Sequence, residues 1–256
     1  MSALLSVDGV TKTFGGLTAV DDLSFDVAAG EVLGLVGPNG SGKSTMLNVL
    51  SGVIRADRGT VTLGGARIDR LAPNRVARAG LGRTFQNLQL FATLTIAQNV
   101  LVGRDCRLST SVFDALLRTP RLRREEAELA GLADALLTRV GLGGRGGGMP
   151  GSLSYGQKRL VEIARALASE PTVLMLDEPC AGLSQDESAA LAVLIRELTA
   201  TGMSVIVIEH NMPFVMGLVD RMVVLNFGRK IAEGPPAEIR NDPRVIETYL
   251  GEASHA

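Results

Sequence analysis

The chain has 256 residues, 46% of them hydrophobic and 21% charged, with a formal net charge of -1. This is the make-up of a globular protein with a full core, and it excludes the overall basic field that holds nucleic acid or anionic lipid. No apolar run approaches the roughly 20 residues of a membrane-crossing helix, "MSALLSVDGVTK" lacks the pattern of a secretory leader, and the distant Cys106 and Cys180 have no metal-ligand spacing.

Residues 1 to 36 alternate as paired strands do around "VTKTFGG" and "LSFDVAAGE", then end in the apolar "VLGLVG" of a buried strand. The period changes at "KSTMLNVLSGV", which predicts a helix directly after a glycine-rich turn. Between Asn87 and Pro150 the patterns are helical, "SVFDALLR" and "REEAELAGLADALLTRV" among them, and "GLGGRGGGMPGS" reads as a mobile connector. "SLSYGQKRLVEIARALA" predicts a helix opening at a Ser-Tyr-Gly turn, with Leu160, Ile163, Ala164 and Leu167 on one face. Finally "TVLMLDEP" and "SVIVIEHN" are short strands ending in polar residues, separated by the helical "QDESAALAVLIRELTATG". The alternation predicts an α/β fold with a mostly parallel core sheet, an N-terminal antiparallel β subdomain and an inserted helical subdomain.

"GPNGSGKST" fits the phosphate-loop pattern G-x-x-x-x-G-K-[ST] between a predicted strand and a predicted helix. A flexible loop with a solvated lysine accounts for neither that spacing nor those flanking elements. Gly37, Pro38, Asn39, Gly40, Ser41, Gly42, Lys43, Ser44 and Thr45 are therefore candidate nucleotide-binding residues. Backbone N–H groups of residues 40 to 45 can curl round a polyphosphate, Lys43 supplies charge to its β and γ phosphates, and the Ser44 hydroxyl can ligate Mg2+. "VLMLDE" brings Asp177 to the carboxyl end of the sheet, where it can hold the metal through water. Glu178 follows, able to orient or deprotonate an attacking water.

Two further candidates depend on this set. His210 ends an apolar strand at the same edge, as a structural histidine or as a hydrogen-bond partner of a γ-phosphate or its attacking water. Gln86, in "GRTFQNL", can ligate the metal or the water through its amide oxygen. The helix opening at Ser154 is an anion site of another kind, because a helix N-terminus presents unpaired N–H groups and partial positive charge.

The ordered set "GPNGSGKST", "TFQ", "LSYGQ", "VLMLDEP" and "IEH" resembles the ATP-binding subunit of ABC transporters over nearly the whole chain. The resemblance implies a P-loop NTPase (ABC ATPase) spanning residues 1–256. Its nucleotide-binding core would be 1–86 with 158–228, its helical subdomain with the signature motif 87–157, and its C-terminal extension 229–256. It makes "LSYGQ" the signature sequence, so that Ser154 and Gly156 face the γ-phosphate of ATP held by a second subunit and Gln157 joins the nucleotide-binding set, with Tyr155 in place of a glycine common in the family. Phe14, in "KTFGG", matches the aromatic that stacks on adenine, and a half-buried strand aromatic is the competing reading. Ser184, ending "AGLS", departs from the Asp that many relatives carry in a dimer-contacting loop.

"GRTFQNLQLF", "LLRTPRLRREEAE", "EIARALASEPTVLMLDEPCAGL", "IEHNMPFVMGLVDR" and "NDPRVIETYLGE" resemble more closely the larger ATPase subunit of Liv-type branched-chain amino-acid importers. That likeness implies ATP and Mg2+ as cofactors and a cytoplasmic subunit on the inner face of the cell membrane. It implies as partners a second ATPase subunit, identical or similar, two transmembrane permeases and an extracytoplasmic solute-binding protein, with no nucleic acid. Leu88, Leu90, Phe91 and the Val112 to Leu117 helix are candidates for permease contact or for internal packing. Importers of urea, amides and other amino acids look alike, and a soluble ABC ATPase or a small P-loop kinase are the rival classes.

Overall fold

A computed structural model describes residues 3–84, 89–107 and 120–253. Gln86, Leu88 and the Val112 to Leu117 helix lie outside the described residues. The chain divides into two compact units, one of Met1–Arg83 with Thr172–Ala256 and one of Thr84–Pro171.

Two sheets build the first unit. β1 (Ala3–Phe14), β2 (Leu17–Ala28), β4 (Arg58–Leu63) and β5 (Ala66–Arg67) form an antiparallel sheet in the order β2-β1-β4-β5. The core sheet has the order β10-β9-β3-β8-β7-β6, from β3 (Val32–Val36), β6 (Leu81–Arg83), β7 (Val173–Asp177), β8 (Ser204–Ile208), β9 (Arg221–Asn226) and β10 (Arg229–Gly234). In it β9, β3, β8, β7 and β6 run parallel and β10 runs antiparallel to β9. Every residue of β3, β7 and β8 is buried, which is why their sequences are near-continuous apolar runs, broken only by Asp177 at the end of β7 and Ser204 at the start of β8, rather than alternating.

Helix α1 (Lys43–Leu50) joins the two sheets. Met46, Leu47 and Leu50 share one core with Leu33 and Leu35 of β3, Ile206 of β8, and Leu5 and Val61 of the antiparallel sheet. Each such side chain contributes about 1.5 to 3 kcal/mol by leaving water, so the phosphate loop is anchored by burial at both ends. The unit also contains α2 (Pro73–Ala79), α6 (Gln185–Ala200), α7 (Met212–Leu218), α8 (Pro236–Ile239) and α9 (Pro243–Ala253). Ser184 is the N-cap of α6: its hydroxyl accepts the Glu187 N–H at 3.2 Å, and Glu187 accepts the Ser184 N–H at 2.9 Å. The sequence departure at Ser184 is thus a good helix start.

The second unit holds α3 (Ile96–Leu101), a 3-10 turn at Val102–Arg107, α4 (Pro120–Arg139) and α5 (Tyr155–Leu167). The glycine-dense stretch expected as a mobile connector is instead bonded to α3: the carbonyls of Gly148 and Gly146 accept the N–H groups of Ile96 and Ala97, both at 2.9 Å. A Cβ on Gly146 would lie 3.3 Å from that of Ala97, so the missing side chain admits close packing rather than freedom. In α5 Val161 is fully buried while Leu160 is only half-buried. The helix is covered on more than one face, and it also buries the Arg159–Glu162 ion pair at 2.9 Å. Burial pushes the Glu162 carboxyl up, against the opposing pull of Arg159, the Gln89 N–H and Arg165.

Candidate functional site

Because β3, β7, β8 and β9 are parallel, their carboxyl ends meet along one edge of the core sheet. Loops leaving such an edge are where α/β sheets bind ligands. The phosphate loop follows β3, Asp177 ends β7 with Glu178 next, and Glu209 and His210 follow β8.

Gly42 adopts φ +103, and a Cβ there would strike the carbonyl of Ala19. The loop therefore turns where only glycine fits. Lys43 folds back over it, donating to the carbonyls of Gly37 and Pro38 at 2.7 Å each and lying 3.4 Å from the Ser41 hydroxyl. Ser44 and Thr45 occupy the first turn of α1, where helix geometry leaves N–H groups without intrahelical acceptors and the helix dipole favours an anion. Gly37, Pro38, Asn39, Gly40 and Ser41 complete the turn, with the Ser41 N–H donating to the Pro38 carbonyl at 3.2 Å.

Asp177 is buried and accepts from the Arg83 guanidinium at 3.2 Å. The same guanidinium donates to Asn48 Oδ1 at 2.7 Å and Ser51 Oγ at 3.0 Å, tying the acid to α1 and its C-cap. Glu178 stands at φ +47, a left-handed conformation costing a non-glycine residue roughly 1–2 kcal/mol. Its N–H donates to the Ile208 carbonyl at 2.9 Å, extending the β7–β8 ladder past the strand end. Strain of this kind persists where surrounding structure holds it, often at sites of chemistry. His210 Nδ1 is 4.0 Å from Glu178 Oε1 and 4.0 Å from Glu209 Oε2. Glu209 is almost wholly buried, and its carboxylate accepts the N–H groups of Cys180 at 2.7 Å, His210 at 3.2 Å and Asn211 at 3.4 Å.

Arg83 and Glu209 are positioning residues that the sequence reading missed. For Arg83 the effect is measurable: Arg83→Ala removes the cation beside a buried carboxylate and should lower unfolding stability by about 3 to 5 kcal/mol. The readout is the urea midpoint, with Arg83→Lys recovering only part because an ammonium cannot bridge Asp177, Asn48 and Ser51 in one plane. An unchanged midpoint for Arg83→Ala would show that the ion pair carries no stability.

Phe14 ends β1 half exposed, with the Lys12 ammonium 5.3 Å from its ring centroid. Lys12 is itself fixed by Asp57 at 2.8 Å. The Lys12 ammonium, then the Thr13 N–H and hydroxyl, hold the Asp57 carboxyl far below the usual carboxylate range. In the second unit, Ser154 is the N-cap of α5: its hydroxyl accepts the Gln157 N–H at 3.2 Å and Gln157 Oε1 accepts the Ser154 N–H at 3.1 Å. Ser154 and Tyr155 are exposed and Gly156 is buried. Ser154 and Gln157 thus form a reciprocal helix cap in which the Ser154 hydroxyl oxygen is an acceptor.

The model of the ABC transporter family matches residues 20–181. The chain belongs to that family. A second model, described as a branched-chain amino acid ATP-binding cassette transporter, matches residues 229–255 of the cassette. Over 251 residues, 98% of each chain, the cassette is 43% identical to the high-affinity branched-chain amino acid transport ATP-binding protein LivG of Salmonella typhimurium. It is 41% identical to BraF of Pseudomonas aeruginosa, named for the same transport, again over 98% of both chains. A solved ATP-binding cassette of an ABC transporter in its ADP conformation superposes with a TM-score of 0.86 at 34% identity, covering 98% of this chain and all of that one.

Family membership makes the chain an ATPase subunit, and its oxygen donors fit a magnesium ion. Ser44 offers a hydroxyl and Asp177 a carboxylate, both hard ligands, and among the described residues no cluster of three or more His, Cys, Asp or Glu forms a cage. Magnesium commonly binds through one or two protein oxygens and completes its shell with phosphate and water. Gln86, the third expected ligand, lies outside the described residues.

Proposed function

We propose that the cassette hydrolyses ATP to drive a membrane importer of branched-chain amino acids. The observation that carries this reading is the 43% identity over 98% of both chains to a protein named for that transport. The match of residues 229–255 to the branched-chain model supports the same reading at the C-terminal end of the chain.

In this mechanism ATP lies along the phosphate loop, residues 37–45, with Lys43 neutralising its β and γ phosphates and Phe14 stacking on its adenine. Ser44, Asp177 and Gln86 would hold Mg2+, which offsets phosphate charge. Glu178 takes a proton from the attacking water, and His210 hydrogen-bonds the γ-phosphate end. Ser154, Gly156 and Gln157 of a second ATPase subunit close over that phosphate with an exposed helix N-terminus. The closed pair is available only when nucleotide supplies the matching charge, so occupancy is coupled to closure and hydrolysis resets it. Two permeases and an extracytoplasmic solute-binding protein complete the importer, with the cassettes on the cytoplasmic face. Among the described residues no helix is long and apolar enough to cross a membrane. Phe91, half exposed beside the Arg165 guanidinium at 5.6 Å, is the described aromatic we assign to permease contact.

Deleting the gene from its host should lower uptake of labelled leucine and isoleucine, and the wild-type gene should restore it. Unchanged leucine and isoleucine uptake with loss of urea uptake would move the cassette to another importer. Loss of none, in a host stripped of parallel importers, would remove the transport reading.

A further inference from the structure

β3 has β8 on one side and β9 on the other. Groups that act on the γ-phosphate end, Asp177, Glu178 and His210, leave β7 and β8. A nucleotide with its phosphates on the loop after β3 and its γ end toward β8 must therefore extend its base toward β9. The turn after β9 carries Phe227, 84% exposed and at φ +44, a conformation rare for a bulky residue.

An isolated exposed apolar residue needs no special explanation, but this turn is built into the phosphate loop. The Gly228 N–H donates to the Ser41 carbonyl at 3.0 Å, and the Gly228 carbonyl accepts the Asp21 N–H of β2 at 2.9 Å. A Cβ on Gly42 would lie 3.4 Å from Gly228 Cα. Arg229 pairs with Asp21 at 2.6 Å, fastening the turn to the hairpin whose tip carries Phe14. Phosphate loop, β1–β2 hairpin and β9–β10 turn therefore meet within one residue of Phe227.

We propose that Phe227 is a second aromatic wall of the nucleotide site, contacting the purine base of ATP or ADP on the β9 side. This rests on the phosphate loop being the ATP site. Its left-handed backbone holds the ring out of the core, where a ligand's π-face can meet it.

The test is calorimetric titration of the full chain with ADP and with inorganic pyrophosphate, magnesium present throughout. Phe227→Asn removes the ring while keeping a residue that tolerates positive φ. The ADP Kd should rise about tenfold, the scale of one base–aromatic stack, while the pyrophosphate Kd stays unchanged. Phe227→Tyr should bind ADP like wild type, and Phe227→Leu should weaken it without altering the melting temperature. An unchanged ADP Kd in both Asn and Leu variants overturns the proposal, as does equal weakening of ADP and pyrophosphate, which would mean a distorted loop. If ADP binding is unchanged while ATP-dependent pairing of cassettes weakens, Phe227 is a subunit contact and the proposal is wrong. Wild-type protein that binds neither ligand would remove the nucleotide reading itself.

Discussion

Glu178→Gln should lower ATP turnover on the order of 1,000-fold, the loss expected for a positioned general base, while ATP remains bound and paired cassettes accumulate. The substitution keeps shape and hydrogen-bonding length but removes the charge that accepts a proton. Nothing else in the site should change, because the backbone of Glu178 is fixed by its N–H bond to Ile208 and by the ladder of β7 with β8. His210 Nδ1 lies 4.0 Å from the same carboxylate, and in the mechanism we propose it bonds the phosphate rather than taking the water's proton. Phosphate release and ATP-dependent size-exclusion profiles measure both halves of the effect. Wild-type turnover, or loss of ATP binding, would dismiss Glu178 as the base.

Lys43→Ala should fail at an earlier step. The ammonium donates to the Gly37 and Pro38 carbonyls, so its loss would remove both the proposed phosphate contact and an internal tie. Losing one pre-organised charged donor costs on the order of 100- to 1,000-fold in kcat/KM, and here ATP affinity should fall as well. The paired state should not accumulate, which separates this variant from Glu178→Gln. Lys43→Arg is not expected to rescue, because a planar fork cannot occupy a point held between two carbonyls of a tight turn. ATP affinity and turnover within twofold of wild type in Lys43→Ala would show that the loop binds phosphate through its backbone alone.

What the sequence made legible was local. "GPNGSGKST" carries its geometry in consecutive residues, and the apolar runs before Gly37, Asp177 and Glu209 announce fully buried parallel strands. Arg83 was not legible, because its partners Asn48, Ser51 and Asp177 come from segments distant in sequence and share no period. Glu209 was hidden beside His210; an acid directly after five buried strand residues was the available signal. The connector was misread because composition cannot separate glycines that allow motion from glycines that allow contact, as at Gly146. Leu160, expected on the apolar face, is only half-buried while Val161 is fully buried, because a helix covered on several sides has no single apolar stripe to read.

The strand order also sets when the site can form as the chain is made. The antiparallel sheet draws all its strands from residues up to Arg67 and can close early. β3, which carries the phosphate loop, has both of its neighbours in the last quarter of the chain: Val32 pairs with Val205, and Leu33 with Arg221. Contacts so distant in sequence form slowly and leave an apolar strand edge waiting on the ribosome. A nascent chain halted before β8 should therefore show protease-resistant hairpins but no affinity for nucleotide.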